Sequence, residues 1–247
     1  MGVRKEICPG NNMRIYFKYI ISCSSMLLFL LTAGCATAPK APLVFKPGST
    51  VETLTAGINL SVKTPAGGTG GNGYLLYRKP ERFRMVMLTP FGTTALEFNA
   101  SGNNVVLSIP SRGNAYAGTF ADLPERQGLQ AWRLMRWAVE GNPLFAPERS
   151  GETVRGDLEG SRTLAVYDDQ GLLERKMTED GNEVLYKEYQ SIDGVPFPSV
   201  MEVNDANGTR VRITFKEPEI NQPLDDDVLS PNLEGLAVLP LSEFRGM

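Results

Sequence analysis

Apolar and polar positions alternate over several stretches of the chain. Ile58, Leu60 and Val62 are separated by Asn59 and Ser61 and followed by Lys63. Phe83, Met85 and Met87 alternate with Arg82, Arg84 and Val86. Leu96 and Phe98 alternate with Ala95, Glu97 and Asn99, and Val105, Leu107 and Ile109 continue the series. Val211, Ile213 and Phe215 alternate with Arg210, Arg212, Thr214 and Lys216. A period of two with one apolar face predicts half-buried antiparallel strands. The stretches are punctuated by Ser101-Gly102-Asn103-Asn104, Gln170-Gly171, Asp180-Gly181 and Asn207-Gly208. Asp-Gly and Asn-Gly are strong hairpin signals, so the strands predict a meander, as a sandwich or a barrel.

Over 127–141 the period changes. Leu129, Trp132, Met135 and Val139 share one stripe at helical spacing, and Gly141-Asn142-Pro143 ends it. A single amphipathic helix in a meander buries its stripe against the sheet. The fold class is therefore mainly β with α: a curved antiparallel sheet whose apolar concave face lies under a helical lid. Val51–Leu54 is read as a second, shorter helix before the first strand.

The first residues read as an address. Arg14 and Lys18 precede an apolar stretch over 19–33, which is followed by Gly34 and Cys35. This is the plan of a secretory signal. Its unbroken apolar run, Met26 to Leu31, is far shorter than the roughly 20 residues of a membrane-spanning helix. Residues 1–12 fit a signal poorly, so Met13 is an alternative start. Pro39, Pro42 and Pro47 then read as an extended spacer. The expected organisation is a signal over 1–34, a modified cysteine and tether over 35–49, a domain over 50–224 and an extension over 225–247.

Composition narrows the chemistry. The chain has no histidine, which removes Ser-His-Asp and Cys-His catalysis and His-ligated zinc. Its formal net charge of −3 argues against nucleic acid as the main partner. Gly68-Thr69-Gly70-Gly71-Asn72-Gly73 matches GxGxxG, but Tyr74-Leu75-Leu76-Tyr77 follows where a dinucleotide site needs a helix. We read it as a flexible hairpin loop. Asp225-Asp226-Asp227 lacks the alternate spacing, central Gly and closing Glu of an EF-hand, so the N-terminal turn of a helix or a solvated bend is expected. No enzymatic activity, cofactor or metal is expected.

Leu88-Thr89-Pro90-Phe91-Gly92-Thr93-Thr94 places a large aromatic residue in a tight turn between two strands. Turns are usually polar. Phe91 is either folded onto the core or displayed as a docking tip, and composition alone favours the core.

A family resemblance changes that reading. Leu31-Thr32-Ala33-Gly34-Cys35 resembles a bacterial lipobox, which implies acylation of Cys35, and Ala36 after it implies sorting to the outer membrane. The stretches 83–107, 134–143 and 180–215 resemble the LolB family of outer-membrane lipoprotein receptors. The resemblance implies a half-open antiparallel barrel with helices at its mouth and an apolar cavity for acyl chains. It also implies a protruding loop with an exposed apolar residue, usually Leu, at the position of Phe91. By the same resemblance the chain is a lipid-anchored protein on the periplasmic face of the outer membrane. It would receive acylated lipoprotein cargo from a LolA-like periplasmic carrier and pass it to membrane lipid.

Such transfer makes and breaks no covalent bond. Each buried CH₂ is worth about 0.8 kcal/mol, and a carrier must offer adaptable apolar surface yet still release its cargo. Methionine suits that task. The expected lining is Leu60, Phe83, Met85, Met87, Leu96, Phe98, Leu107, Trp132, Met135, Ile213 and Phe215, with Phe91 entering the target bilayer. A rival reading is an envelope sensor or assembly module on the same fold, with a protein or lipid partner. Another is an enzyme acting on envelope lipid or glycan, which would need a carboxylate pair in a cleft.

Overall fold

The computed structural model describes residues 2, 44–46, 48–123, 144–158 and 161–245. Apart from Gly2, all of them belong to one compact unit, 43–247.

That unit is built on one sheet of thirteen strands. Two antiparallel meanders supply twelve of them. The first is β1 (Thr53–Thr64), β2 (Gly67–Arg78), β3 (Arg82–Leu88), β4 (Thr94–Ser101), β5 (Asn104–Ile109) and β6 (Asn114–Thr119). The second is β7 (Thr153–Leu158), β8 (Ser161–Tyr167), β9 (Leu173–Thr178), β10 (Glu183–Ile192), β11 (Val195–Asn204) and β12 (Arg210–Ile220). β1 pairs with β12 from Leu54↔Ile220 to Lys63↔Arg210, which joins the two meanders side by side. The thirteenth strand, β13 (Ala237–Pro240), lies parallel to β6 at the edge. The order is β13-β6-β5-β4-β3-β2-β1-β12-β11-β10-β9-β8-β7, so the two ends of the sheet do not pair and it stays open.

The alternating stretches become strands with the expected inward residues. Ile58 and Leu60 of β1, Phe83 and Met85 of β3, and Val211, Ile213 and Phe215 of β12 are all buried in one apolar cluster, and Leu54 and Ala56, which the alternation does not name, extend the β1 row. The period of two works because consecutive side chains leave a strand on opposite sides.

Three expectations are corrected. The half-barrel under a helical lid is replaced by an open sheet. The described residues contain no α-helix, only five three-residue 3-10 turns. The stripe over 127–141 lies outside the described residues. Val51–Leu54 is not a helix: Thr53 and Leu54 already belong to β1, where Leu54 pairs with Tyr77 and Ile220. The alternate Thr53-Leu54-Thr55 pattern, with its β-branched threonines, suits a pleated strand better than a helical turn. The Gly-rich stretch is not a loop. It is the first half of β2, paired with β1 from Thr64↔Gly67 to Ile58↔Gly73. Its glycines answer close backbone contacts. A Cβ on Gly73 would stand 2.0 Å from the Val86 carbonyl oxygen, and one on Gly70 would stand 2.5 Å from that of Leu60.

The opposite face of β2–β5 is buried as well. Leu76, Val86, Glu97, Asn99 and Ser108 are all nearly inaccessible. The segment after β12 crosses this face as a strap. Arg78 donates to the Leu224 carbonyl at 3.0 Å, Arg82 to that of Asp226 at 3.5 Å, and Arg84 to that of Val228 at 2.6 Å. Asp226, expected at a helix N-terminus or in a solvated bend, precedes the 3-10 turn Asp227–Leu229 and forms an ion pair with Arg78. Beyond β13 the chain buries Leu241 and Phe244 in the main apolar cluster. Phe244 meets Tyr116 edge-on, with ring centroids 5.2 Å apart.

At the other terminus, the end of the expected spacer is docked. Lys46 N donates to the Gly194 carbonyl at 2.7 Å, and Ser191 Oγ donates to that of Val44 at 2.8 Å. The Phe45 ring lies 5.2 Å from that of Phe145.

Candidate functional site

Nine of the eleven expected lining residues meet on one face. Leu60, Phe83, Met85, Met87, Leu96, Phe98, Leu107, Ile213 and Phe215 are each buried and belong to the same cluster. Register explains their meeting. Met85 pairs with Phe98 and Leu75, Phe98 pairs with Leu107, and Leu60 pairs with Ile213. One row therefore carries apolar side chains from β2 across to β5 and another joins β12 to β1, where Leu60 faces Gly71 of β2. Trp132 and Met135 lie outside the described residues, as does Cys35.

Glycines shape one end of this face. Gly71 and Gly73 occupy the positions of β2 paired with Leu60 and Ile58. The Met87 methyl carbon comes within 3.5 Å of where a Gly71 Cβ would be. A long, soft thioether thus lies beside a position with no side chain.

Phe91 is 93% exposed. The turn beneath it is tightly bonded. Thr89 N donates to the Thr93 carbonyl at 2.8 Å, and Gly92 N donates to the Thr89 carbonyl at 2.9 Å. The Thr89 hydroxyl accepts from the backbone N–H of both Phe91 and Thr93 at 3.3 Å, and the two threonine hydroxyls are 2.8 Å apart. Gly92 has φ +82°, a conformation glycine adopts without a Cβ penalty. The ring is thus held away from the core that composition alone had favoured for it.

Strand directions place Phe91 among other tips. It follows the end of β3, where Met87 pairs with Gly73 in the middle of β2, and β3 points toward the end at which β2 starts. The β1–β2 turn and the β11–β12 turn are at that same end of the sheet. The docked residues 44–46 sit at the opposite end, against the β10–β11 turn.

Sequence reasoning missed the second half of the face. Ala165, Tyr167, Lys176, Val184, Tyr186, Val203 and Met201 are buried on β8–β11. Lys176 is only 1% exposed, and its Nζ lies 5.9 Å from the Tyr186 ring centroid. Burial pushes the Tyr186 hydroxyl well above its ordinary pKa, and the nearby Tyr167 adds to this. Burial does the same to Tyr189, whose hydroxyl donates to the Leu173 carbonyl at 2.7 Å. Irregular pairing at Val166/Tyr167 shifts the parity of the β8–β9 ladder, which hid this stretch from a period-two reading. Lysine is also a poor sequence signal for an inward position.

Among the described residues, no group of three or more His, Cys, Asp or Glu side chains is placed to hold a metal ion. Residues 54–217 match the family described as "Outer membrane lipoprotein LolB". The chain belongs to the LolB family. Over 106 residues it is 28% identical to the outer-membrane lipoprotein LolB of Shewanella baltica strain OS155, covering 41% of this chain and 49% of that one. It is 23% identical over 176 residues to the LolB of Shewanella sp. strain MR-4, covering 64% and 77%. The chain thus spans about half the length of the Shewanella baltica LolB it matches. Among solved structures, a putative outer membrane lipoprotein-sorting protein domain from Vibrio parahaemolyticus overlays at TM-score 0.49 and 10% identity, covering 72% of this chain and 88% of that one. A LolA superfamily protein from Nitrosomonas europaea overlays at 0.46 and 9%, covering 76% and 93%. The assignment to LolB rests on the sequence match.

Proposed function

We propose that this LolB-family chain is a lipid-anchored lipoprotein of the outer membrane that binds the acyl chains of other lipoproteins and helps insert them into that membrane. Residues 1–34 would direct export, Cys35 would carry the anchor, and a LolA-like periplasmic carrier would deliver the cargo. The single observation that carries the reading is Phe91, almost wholly exposed on a turn bonded at both ends. Burying a phenylalanine side chain is worth about 1.5–3 kcal/mol. Nothing in the described residues recovers that free energy for Phe91, whereas entry into a bilayer would.

The apolar face supplies the other half. Acyl chains are insoluble in water, and transfer needs a surface that holds them less strongly than the bilayer does. The buried methionines 85, 87 and 201, with the Met87 methyl beside Gly71, favour a surface that adapts its shape over a tight mould. Cargo would occupy this face, and the wedge at Phe91 would open the leaflet for its release. Each step is a transfer between apolar environments, so no general acid, nucleophile or cofactor takes part.

Transfer of an acylated lipoprotein from a periplasmic carrier to liposomes tests the reading. Wild type is expected to move cargo, while Phe91→Glu binds cargo but releases it at least tenfold more slowly. Because Phe91 touches no core, its substitution is expected to change stability by no more than about 0.5 kcal/mol. A wild-type protein that moves no cargo would sink the receptor role, and a Phe91→Glu protein as fast as wild type would sink the wedge.

A further inference from the structure

At the same end of the sheet as Phe91, two cations face each other. Lys63 on β1 and Arg210 on β12 are direct register partners. Both are exposed, and both point away from the apolar face that Val211 helps to form. Like charges directly opposite on adjacent strands destabilise a sheet. Neither has a carboxylate within ion-pair distance among the described residues. Arg210 Nε instead donates to the Asn204 side-chain oxygen at 3.0 Å.

The pair lies in a cleft of about 550 Å³ between two hairpin tips. Thr64 and Pro65 form one wall, and Asp205, Gly208 and Thr209 form the other. The tips touch, since a Cβ on Gly208 would meet Pro65 Cγ at 3.6 Å. The two carboxylates of the cleft are already engaged. Asp205 Oδ1 accepts from the backbone N–H of Asn207 and Thr209, each at 2.8 Å. Glu183 accepts from Asn204 Nδ2 at 3.0 Å and lies 3.6 Å from Arg175. The bonded turn holds Arg210 in place, and Gly68 leaves space beside the Lys63 stem, whose Cγ is 3.9 Å from its missing Cβ.

We infer that this cleft binds the phosphate of an anionic phospholipid headgroup, with Lys63 and Arg210 as its two cationic contacts. The inference rests on the reading of Phe91 as a membrane contact and extends it, because an apolar wedge and a pair of cations at one end of a sheet match the two layers of a lipid surface. A phosphate between the cations turns a repulsive pair into a bridged one, and the guanidinium presents two parallel donors to it.

The test uses the full chain purified from membranes, with an environment-sensitive fluorophore on Ala66→Cys at the β1–β2 tip. Vesicles of phosphatidylcholine alone are compared with vesicles containing phosphatidylglycerol, at low salt and at 0.5 M salt. A basic residue near an anionic surface is worth roughly fivefold in partitioning, so the pair is worth roughly 25-fold. The expected result is a blue shift of the dye that requires phosphatidylglycerol, is lost at high salt, and is abolished in Lys63→Gln/Arg210→Gln with the thermal midpoint not lowered. Phe91→Glu is expected to keep the dependence on lipid charge. An equal shift on both vesicle types, or a shift unaltered in the double variant, overturns the inference. An equal shift with inorganic phosphate and no vesicles also overturns it, assigning the cleft to a soluble anion. Loss of cargo transfer in Phe91→Glu with no response to lipid charge would leave the receptor reading standing and the cleft refuted. Wild type that moves no cargo but keeps a charge-dependent shift would do the reverse.

Discussion

Both faces of β2–β5 are covered, by opposite means. One face carries Leu75, Tyr77, Phe83, Met85, Phe98 and Leu107, and joins the apolar cluster. The other carries Arg84 and Glu97, with Nε to Oε1 at 3.1 Å and Nη2 to Oε2 at 3.3 Å, and Asn99 donates to the same carboxylate at 2.7 Å. The first relies on the hydrophobic effect, which is non-directional and tolerates changes of shape. The second relies on a charged network whose members depend on each other's geometry. Under the proposed role, an apolar face could give up order to admit a guest. The protein cannot spare order in a network that fastens its own C-terminal strap.

This contrast can be broken most severely at Glu97. Glu97→Ala strands the Arg84 guanidinium beneath the strap, and urea unfolding is expected to report a loss of about 3–5 kcal/mol. A loss below 1 kcal/mol would show that the network is hydrated and that the two faces differ less than described. Next in size is Gly73→Ala, where the added methyl meets the Val86 carbonyl. Prying β2 from β3 there is expected to cost about 1–3 kcal/mol in the same assay. A neutral result would mean the strand relaxes freely at that point.

The apolar face should be more forgiving. Met87→Leu is expected to cost less than about 1.5 kcal/mol while altering acyl-probe binding, measured by displacement of a fluorescent fatty acid. Unchanged binding would separate Met87 from the guest surface. The smallest effect concerns acid. Hydrogen bonding to Arg78, helped by its charge, holds the Asp226 carboxyl below its ordinary pKa. A depressed carboxyl stabilises the folded state above its unfolded pKa of about 3.9 and loses that contribution as pH falls through the folded value. The strap should therefore loosen first below about pH 4, seen as faster amide exchange over 224–229, and Asp226→Asn should remove that pH dependence.

Much of the molecule was legible in the residues. Period-two stretches found β1, β3, β4, β5 and β12, because a strand with one apolar face writes its burial directly into alternation. They also delivered nine of the inward residues named for the face. The same rule failed where its assumption failed. β2 begins with glycines that have no polarity to alternate, and their reason, the nearness of the Val86 and Leu60 carbonyls, belongs to other strands. β3 and β4 hide Val86, Glu97 and Asn99 on their second face because a segment more than a hundred residues later covers it. Composition favoured the core for Phe91, since apolar residues are mostly buried, and the structure displays it instead.

Taken alone, the sequence determined which residues share a strand face, where the chain turns, that histidine chemistry is absent, and that the chain carries a LolB signature over 54–217. Those properties are local or compositional, so they survive without coordinates. Only the tertiary structure decided that the sheet remains open, that the C-terminal strap fastens to Arg78, Arg82 and Arg84, that Lys176 turns inward, and that Lys63 stands opposite Arg210. Each of these depends on register between strands far apart in the chain. Register is set by the summed packing of the whole sheet rather than by any one segment.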